Sequence, residues 1–424
     1  MVRGKNTGMR FSILFSLLIY CSSTFAQVGN HNNVETNTPV LTKEEQVLDT
    51  LYEQLNDQHE KALKIENDLR ERSVIKKTKA SSVNAEAMPA EMNQMSKPES
   101  SGYAATKLVP VMEDFNQVQQ AVKSNAISRS PLPIQQQQMD ASVQYMEQVA
   151  PSSFEYHLSM YTSGNYDTKR IAHLNEAELL QPQHPTVQVQ KTAYFIAIGD
   201  TLNTKVYLSK LKDQGHLSQD AIDYTHDVLL SVPPKGCLVT HGFDDSYGAY
   251  FNQQVNDLRP DVCVASLDFM QGAAYKTLLN TRNLKFSQIS AIDTTFFDDF
   301  CRLNESKNIA VSLTLPREYL LSVKEKLFIN GLTMTYNLQE PTLLFFTNEN
   351  LWFNEFKKYT LNNTQTEKGR KLAANYLPML LTLHHYYRVK GNTAREQELQ
   401  KVIEKVSALS GKQTSIKSSQ KKNK

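Results

Sequence analysis

Two short apolar runs, Cys237-Leu238-Val239-Thr240 and Val262-Cys263-Val264-Ala265, flank a stretch in which Tyr247, Tyr250, Phe251, Val255 and Leu258 recur at helical spacing. The first run is opened by Pro233-Pro234 and closed by Gly242, and the second is opened by Arg259-Pro260-Asp261. Runs this short between turn residues read as buried strands. Two such strands joined by a helix imply a parallel pair with a right-handed crossover, and sheets of this kind take ligands at the carboxyl ends of their strands. That edge carries His241, Asp244, Asp245 and Ser246, the candidate ligand-binding residues.

Carboxylates and imidazole can hold a divalent cation or move a proton. Asp244 and Asp245 have a second reading as caps of the following helix, accepting its free amide hydrogens and favoured by its dipole. Ser246 lacks the Gly-x-Ser-x-Gly elbow of a nucleophile. Phosphate-binding glycine patterns and zinc spacings are missing too, so no catalytic residue, metal or cofactor is expected. His384 and His385 adjoin on a helix with Tyr386 and Tyr387, point in different directions and read as packing residues.

The chain has 424 residues, a hydrophobic fraction of 40% and a mean hydropathy of -0.46, polar enough that part of it must lie outside any core. Residues 1–26 read as a secretory signal: Arg3, Lys5 and Arg10 come first, then the apolar run from Phe11 to Tyr20, then Thr24-Phe25-Ala26 before a cleavage point. The apolar run is too short for a stable membrane span, and no transmembrane segment is expected in the mature chain. Export to the periplasm is the expectation, with a lipid anchor through Cys21 as the alternative, against which the bulky Tyr20 counts. Losing the three cations takes the net charge from +2 to about -1, a balance that gives nucleic acid no reason to bind. Cys237, Cys263 and Cys301 remain. The first two fall in the paired strands and could form a disulfide; alternatively all three are small buried hydrophobes.

Along the rest of the chain, residues 27–103 read as an N-terminal helix over 41–77 followed by a disordered linker. Pro131, Pro133 and the run Gln135 to Gln138 suggest a second loose joint over 125–142, after a short helix over 108–122. Residues 104–231 form a helical region. Over 152–215 its helices break at Gly164-Asn165 and Gly199-Asp200, a pattern that resembles tetratricopeptide repeats, and a capping helix follows with Ser218 at its N-cap. An α/β domain spans 232–340, with further strands at 307–314 and 332–336 and a helix that carries Leu320 to Ile329 and stops at Asn330-Gly331. A C-terminal helical hairpin over 341–411 turns at Gly391-Asn392, and 412–424 is a basic, disordered tail. The expected class is therefore α/β plus all-α, with tetratricopeptide-like hairpins flanking a small Rossmann-like βαβ domain.

The motifs Val-Pro-Pro-Lys-Gly-Cys-Leu-Val-Thr-His-Gly-Phe-Asp-Asp-Ser-Tyr, Leu-Arg-Pro-Asp-Val-Cys-Val-Ala-Ser-Leu, Asn-Ile-Ala-Val-Ser-Leu-Thr and Asn-Gly-Leu-Thr-Met-Thr-Tyr follow one another in that order. Together they resemble the extracytoplasmic C-terminal region of bacterial multi-spanning protein O-mannosyltransferase-like proteins, over residues 230–340. The family turn reads Gly-Asp-Asn-Asp, whereas Phe243 and Asp244 stand here at its first Asp and its Asn. The resemblance implies a domain with an acidic turn at Gly242, Asp244, Asp245 and Ser246. It carries over no catalytic residue, because those belong to the absent membrane part. The expected function is a non-catalytic scaffold for an envelope protein partner, with glycan handling through the acidic turn as the alternative and a hydrolase built on His241 and the two Asp residues ranked last.

Overall fold

The computed structural model describes residues 101–411. The signal segment, the amphipathic stretch 41–77, the linker up to residue 100 and the basic tail lie outside the described residues. Helix α1, Ser101–Lys123, starts inside the stretch expected as linker and packs on α2, Pro133–Val149. The glutamine run is thus helical rather than a loose joint. Pro133 takes the first helical position, where its missing N–H costs nothing. The Gln135 side chain accepts from Leu132 N at 2.9 Å. Met139, Val143 and Met146 recur at helical spacing and bury against Leu108 and Phe115 of α1.

Helices α3, Phe154–Thr162, and α4, Ile171–Leu180, form the next pair, and α5, Pro185–Ile198, and α6, Thr201–Asp213, the third. Leu158, Tyr161, Leu174, Ala177 and Val187 fill the seam between the second and third pairs. Full burial of a side chain the size of Leu174 or Val187 contributes about 1.5–3 kcal/mol. Gly199 ends α5 at φ 74°, the left-handed conformation that glycine adopts without a Cβ penalty, and Asp200 caps α6 by accepting from Asn203 N at 2.9 Å. The earlier turn differs from its sequence reading. There Asn165 (φ 50°) and Tyr166 (φ 65°) take the left-handed conformation, not Gly164. Gly164 is required for space, since a Cβ would lie 2.7 Å from Arg170 Cδ.

Helix α7, Gln219–Ser231, is capped by Ser218 as expected and leads into the sheet. The elements are β1, Cys237–Thr240; α8, Gly242–Gln254; β2, Cys263–Ser266; α9, Ala273–Thr281; α10, Thr294–Leu303; β3, Ile309–Ser312; α11, Arg317–Ser322; β4, Leu327–Asn330; and β5, Thr333–Tyr336. They make a five-stranded sheet of order β2-β1-β3-β5-β4. The first three strands are parallel and the last two antiparallel. Leu327–Asn330 is the edge strand of a hairpin, not the end of a helix. Gly331 (φ 61°) and Leu332 form a two-residue turn between paired Asn330 and Thr333, and Asn-Gly before an apolar run signals a hairpin as well as a helix stop.

After the sheet come α12, Leu344–Asn350, a π-turn over Leu351–Glu355, α13, Tyr359–Asn363, α14, Glu367–Ala373, α15, Leu377–Val389, and α16, Thr393–Leu409. The last two form the expected hairpin, with Gly391 at φ 71° and Asn392 accepting from Arg395 N at 3.2 Å. Among the described residues no helix is long and apolar enough to cross a membrane.

Helix α7 fastens these parts together. The Asp227 carboxylate is fully buried and accepts from Lys357 N (3.0 Å), Lys358 N (2.9 Å) and Tyr376 Oη (2.8 Å), all from the C-terminal helical segment. One turn on, Ser231 Oγ accepts from Leu332 N at 2.8 Å, and Asn330 Nδ2 donates to the Ser231 carbonyl at 2.6 Å, so the same helix holds the β4–β5 hairpin. A Cβ on Gly331 would strike Ser231 Oγ. Asp227→Ala strips two backbone amides and a buried hydroxyl of their acceptor and is expected to cost about 3–5 kcal/mol in urea unfolding. A loss under about 1 kcal/mol, the range of ordinary surface changes, would contradict this fastening role.

Candidate functional site

Because β1, β2 and β3 run parallel, their carboxyl ends share one edge, and each ends in a hydroxyl side chain: Thr240, Ser266 and Ser312. The chain leaves β1 for β2 on one side and returns past it to β3 on the other, so the topological switch lies between β1 and β3. A crevice at such a switch is where ligands bind on α/β sheets. In this chain the turn after β1 fills it.

Gly242, at φ 70°, opens α8 with open space where a Cβ would be; its left-handed backbone is the reason for glycine there. The preceding His241 is extended and swings its ring across to β3, where Nε2 donates to the Thr314 carbonyl at 2.6 Å. A carbonyl only accepts, so the proton resides on Nε2; the buried Nδ1 has no partner. Asp245 follows the ring into the same seam. One of its oxygens accepts from Ser312 Oγ at 3.0 Å and the other from His241 N at 3.3 Å. Burial pushes this carboxyl up, opposed by His241, by the Thr314 and Ser312 hydroxyls and by the His241 amide. Ser246 Oγ lies 2.9 Å from both Thr240 Oγ1 and Ser266 Oγ, linking the buried hydroxyls of β1 and β2.

Of the four residues singled out in the sequence, His241, Asp245 and Ser246 are thus brought together. Asp244 stands apart, pairing with Lys368 Nζ of α14 at 2.9 Å on the surface. Neither carboxylate caps α8 as expected. The Gly242 amide is taken by Asp268, which the loop after β2 delivers because β2 ends beside β1, and Asp245 serves the amide of His241 instead. Asp268, Ser266, Ser312 and Thr314 were missed in the sequence. Ser266 and Ser312 were signalled by a hydroxyl at the end of each parallel strand, whereas nothing local marked Asp268 or Thr314.

The helical region also reaches this edge. Arg129 N donates to the Ile292 carbonyl at 2.7 Å, and the Tyr319 hydroxyl donates to the same carbonyl at 2.8 Å. The Arg129 side chain is 7% exposed, with its Nε lacking a partner. Burial pushes the Tyr319 phenol up to about 12, with the Arg129 guanidinium opposing. His384 is buried and His385 half-buried, the divergent arrangement expected for adjacent histidines; burial pulls His384 down. Among the described residues no three His, Cys, Asp or Glu side chains converge as metal ligands.

Comparison with known proteins returned no matching family model, no matching curated protein and no matching solved structure.

The elevated Asp245 carboxyl has a pH consequence. Above the unfolded value of about 3.9 the unfolded chain has released a proton that the folded chain still holds. Stability therefore falls as pH rises from there to the folded value. Asp245→Asn cannot titrate, so its stability relative to the native chain is expected to improve as pH is raised from about 4 to 7, followed by urea midpoints. A difference that stays constant over that range would contradict the burial of a proton-holding carboxyl.

Proposed function

We propose that this chain is an exported, non-catalytic scaffold of the cell envelope that binds another envelope protein through its helical pairs. The observation that carries this reading is the state of the switch crevice. Its histidine, carboxylate and hydroxyls are committed to one another and to the backbone, so the groups that would do chemistry in such a sheet here hold the turn in place. Export rests on the basic, apolar and small-residue pattern of residues 1–26. A tetratricopeptide-like role rests on consecutive helical pairs with turns at Gly164-Asn165 and Gly199-Asp200.

The surface best suited to a partner lies on α4 and α6, which are joined by the Tyr207 hydroxyl donating to Glu178 at 2.7 Å. Leu179 and Leu202 are each 74% exposed, Leu180 and Val206 accompany them, and Lys205, Lys210 and Lys212 border them on α6. An apolar strip edged with lysines suits a partner segment that is apolar and acidic. The second reading, an accessory glycan-handling protein, is favoured by Asp244, the one member of the candidate set that reaches the surface as an ion pair. The resemblance to the mannosyltransferase-like region points the same way.

Photo-cross-linking from positions 179 and 202 in the envelope is expected to trap one protein, and the pair Leu179→Asp with Leu202→Asp to lose it without a change in melting temperature. Calorimetry of the mature chain with mannose oligosaccharides separates the readings. Heat that disappears in Asp244→Ala, together with cross-linking that survives the double substitution, would replace the scaffold with the glycan binder.

A further inference from the structure

The amino ends of β1 and β2, at the opposite end of the strands from the linked hydroxyls, carry a second cluster. Cys237 and Cys263 are the first residues of the two strands and direct register partners. Partners in a parallel ladder project to the same face, and strands about 4.8 Å apart lie within the ~4.4–6.8 Å Cα separation that a disulfide spans. Both thiols are free and lie side by side on the paired strands. Their surroundings differ. Cys237 is 1% exposed in the interior strand, whereas Cys263 is half-buried on the edge strand β2.

Arg282, the residue after α9, brings a positive charge to the neighbourhood of Cys263. The same arginine lines a cavity of about 100 Å³ with Val264, Tyr250, Gln253, Leu278 and Thr201. Cys263, the more exposed of the two thiols, is therefore the one that a disulfide in solvent meets first. The neighbouring Cys237 and the charge of Arg282 hold Cys263 below the ordinary thiol range against burial. Cys237 is pushed well above it, by the neighbouring Cys263 and by burial. A thiol made acidic by a neighbouring cation is the nucleophilic kind, and the one held protonated beside it is placed to follow.

We propose that Cys263 is a thiol–disulfide exchange site beside Arg282, with Cys237 as its resolving thiol and small soluble disulfides as the co-reactant. In the first step the Cys263 thiolate attacks one sulfur of the small disulfide, forming a mixed disulfide and releasing the other half as a thiolate. In the second, Cys237 attacks Cys263 Sγ, its proton passes to the departing thiolate, and a Cys237–Cys263 bond replaces the mixed disulfide. Two protein thiols are oxidised and one external disulfide is reduced to two thiols. Cys301, fully buried on α10, takes no part. This inference does not rest on the scaffold reading, since it uses neither Leu179 nor Leu202.

The test uses the mature chain with oxidised glutathione at neutral pH, followed by peptide-mapping mass spectrometry. The native protein is expected to gain a Cys237–Cys263 link with loss of two hydrogens. Cys237→Ala is expected to stop at glutathione on Cys263, and Cys263→Ala to remain unmodified. Arg282→Gln should slow the first step about threefold, the net effect of a thiol pKa one unit higher once the greater nucleophilicity of the more basic thiolate is counted, and move its pH profile upward. Three thiols still free in the treated native protein, glutathione on Cys301, or an unchanged rate and pH profile in Arg282→Gln would each overturn the proposal.

Discussion

A carboxylate with no exposed surface has to be held by donors, because an unpaired one would cost more than most single contacts return. Asp227 meets that demand from outside its own helix. Its oxygens take two consecutive backbone amides and a tyrosine hydroxyl from a segment more than a hundred residues further along the chain, and His226 Nδ1 lies 3.0 Å from one of them. The other faces of α7 are used as fully. Asn252 of α8 donates to the Ile222 carbonyl at 2.8 Å, and Gly248 lets α8 approach closely enough that a Cβ there would lie 2.7 Å from Thr225 Oγ1. Near the N-terminal end, Asp220 meets Thr366 ahead of α14. One helix thus touches the crossover helix of the sheet, the hairpin that closes the sheet and the C-terminal helices.

The carboxyl edge of the sheet follows from that rigidity. With β1 fixed between β2 and β3, the turn after it can reach both neighbours, and it does so with polar groups rather than apolar ones: His241 toward β3, Gly242 toward Asp268 beyond β2, and Ser246 between the hydroxyls of β1 and β2. A buried network of this kind is favourable only when its members are satisfied, and it then specifies one arrangement of the strands. The geometry that would leave a crevice for a ligand in another α/β sheet here holds three strand ends in register.

Much of this was legible in the sequence, for identifiable reasons. The parallel pair could be read because Pro-Pro, Gly and Arg-Pro-Asp bracket runs too short to be helices, and Ser218, Gly199 and Gly391 mark helix ends by rules that depend on a few backbone atoms. What could not be read depended on distant partners. Leu327–Asn330 looks helical by spacing and becomes a strand because β5 is there to pair with it. The glutamine run looks like a linker by composition and becomes a helix because Met139, Val143 and Met146 find α1. The choice of Asp268 over Asp244 as the partner of the Gly242 amide is set by the adjacency of β1 and β2, which no local pattern contains. Gly164 shows the converse limit, a glycine kept for the approach of Arg170 at a turn whose left-handed residues are Asn165 and Tyr166.

If α7 binds the sheet and the C-terminal helices into one body, they must unfold together. The single tryptophan, Trp352, lies in the π-turn just before the two amides held by Asp227 and packs near Tyr376, so its fluorescence reports the C-terminal part. Far-ultraviolet circular dichroism reports all the helices at once. In a urea titration of residues 101–411 the two signals are expected to trace one coincident transition. Loss of the Trp352 signal at lower urea, while the helical signal persists, would show that the C-terminal segment detaches on its own and that the buried carboxylate is not what holds the structure together.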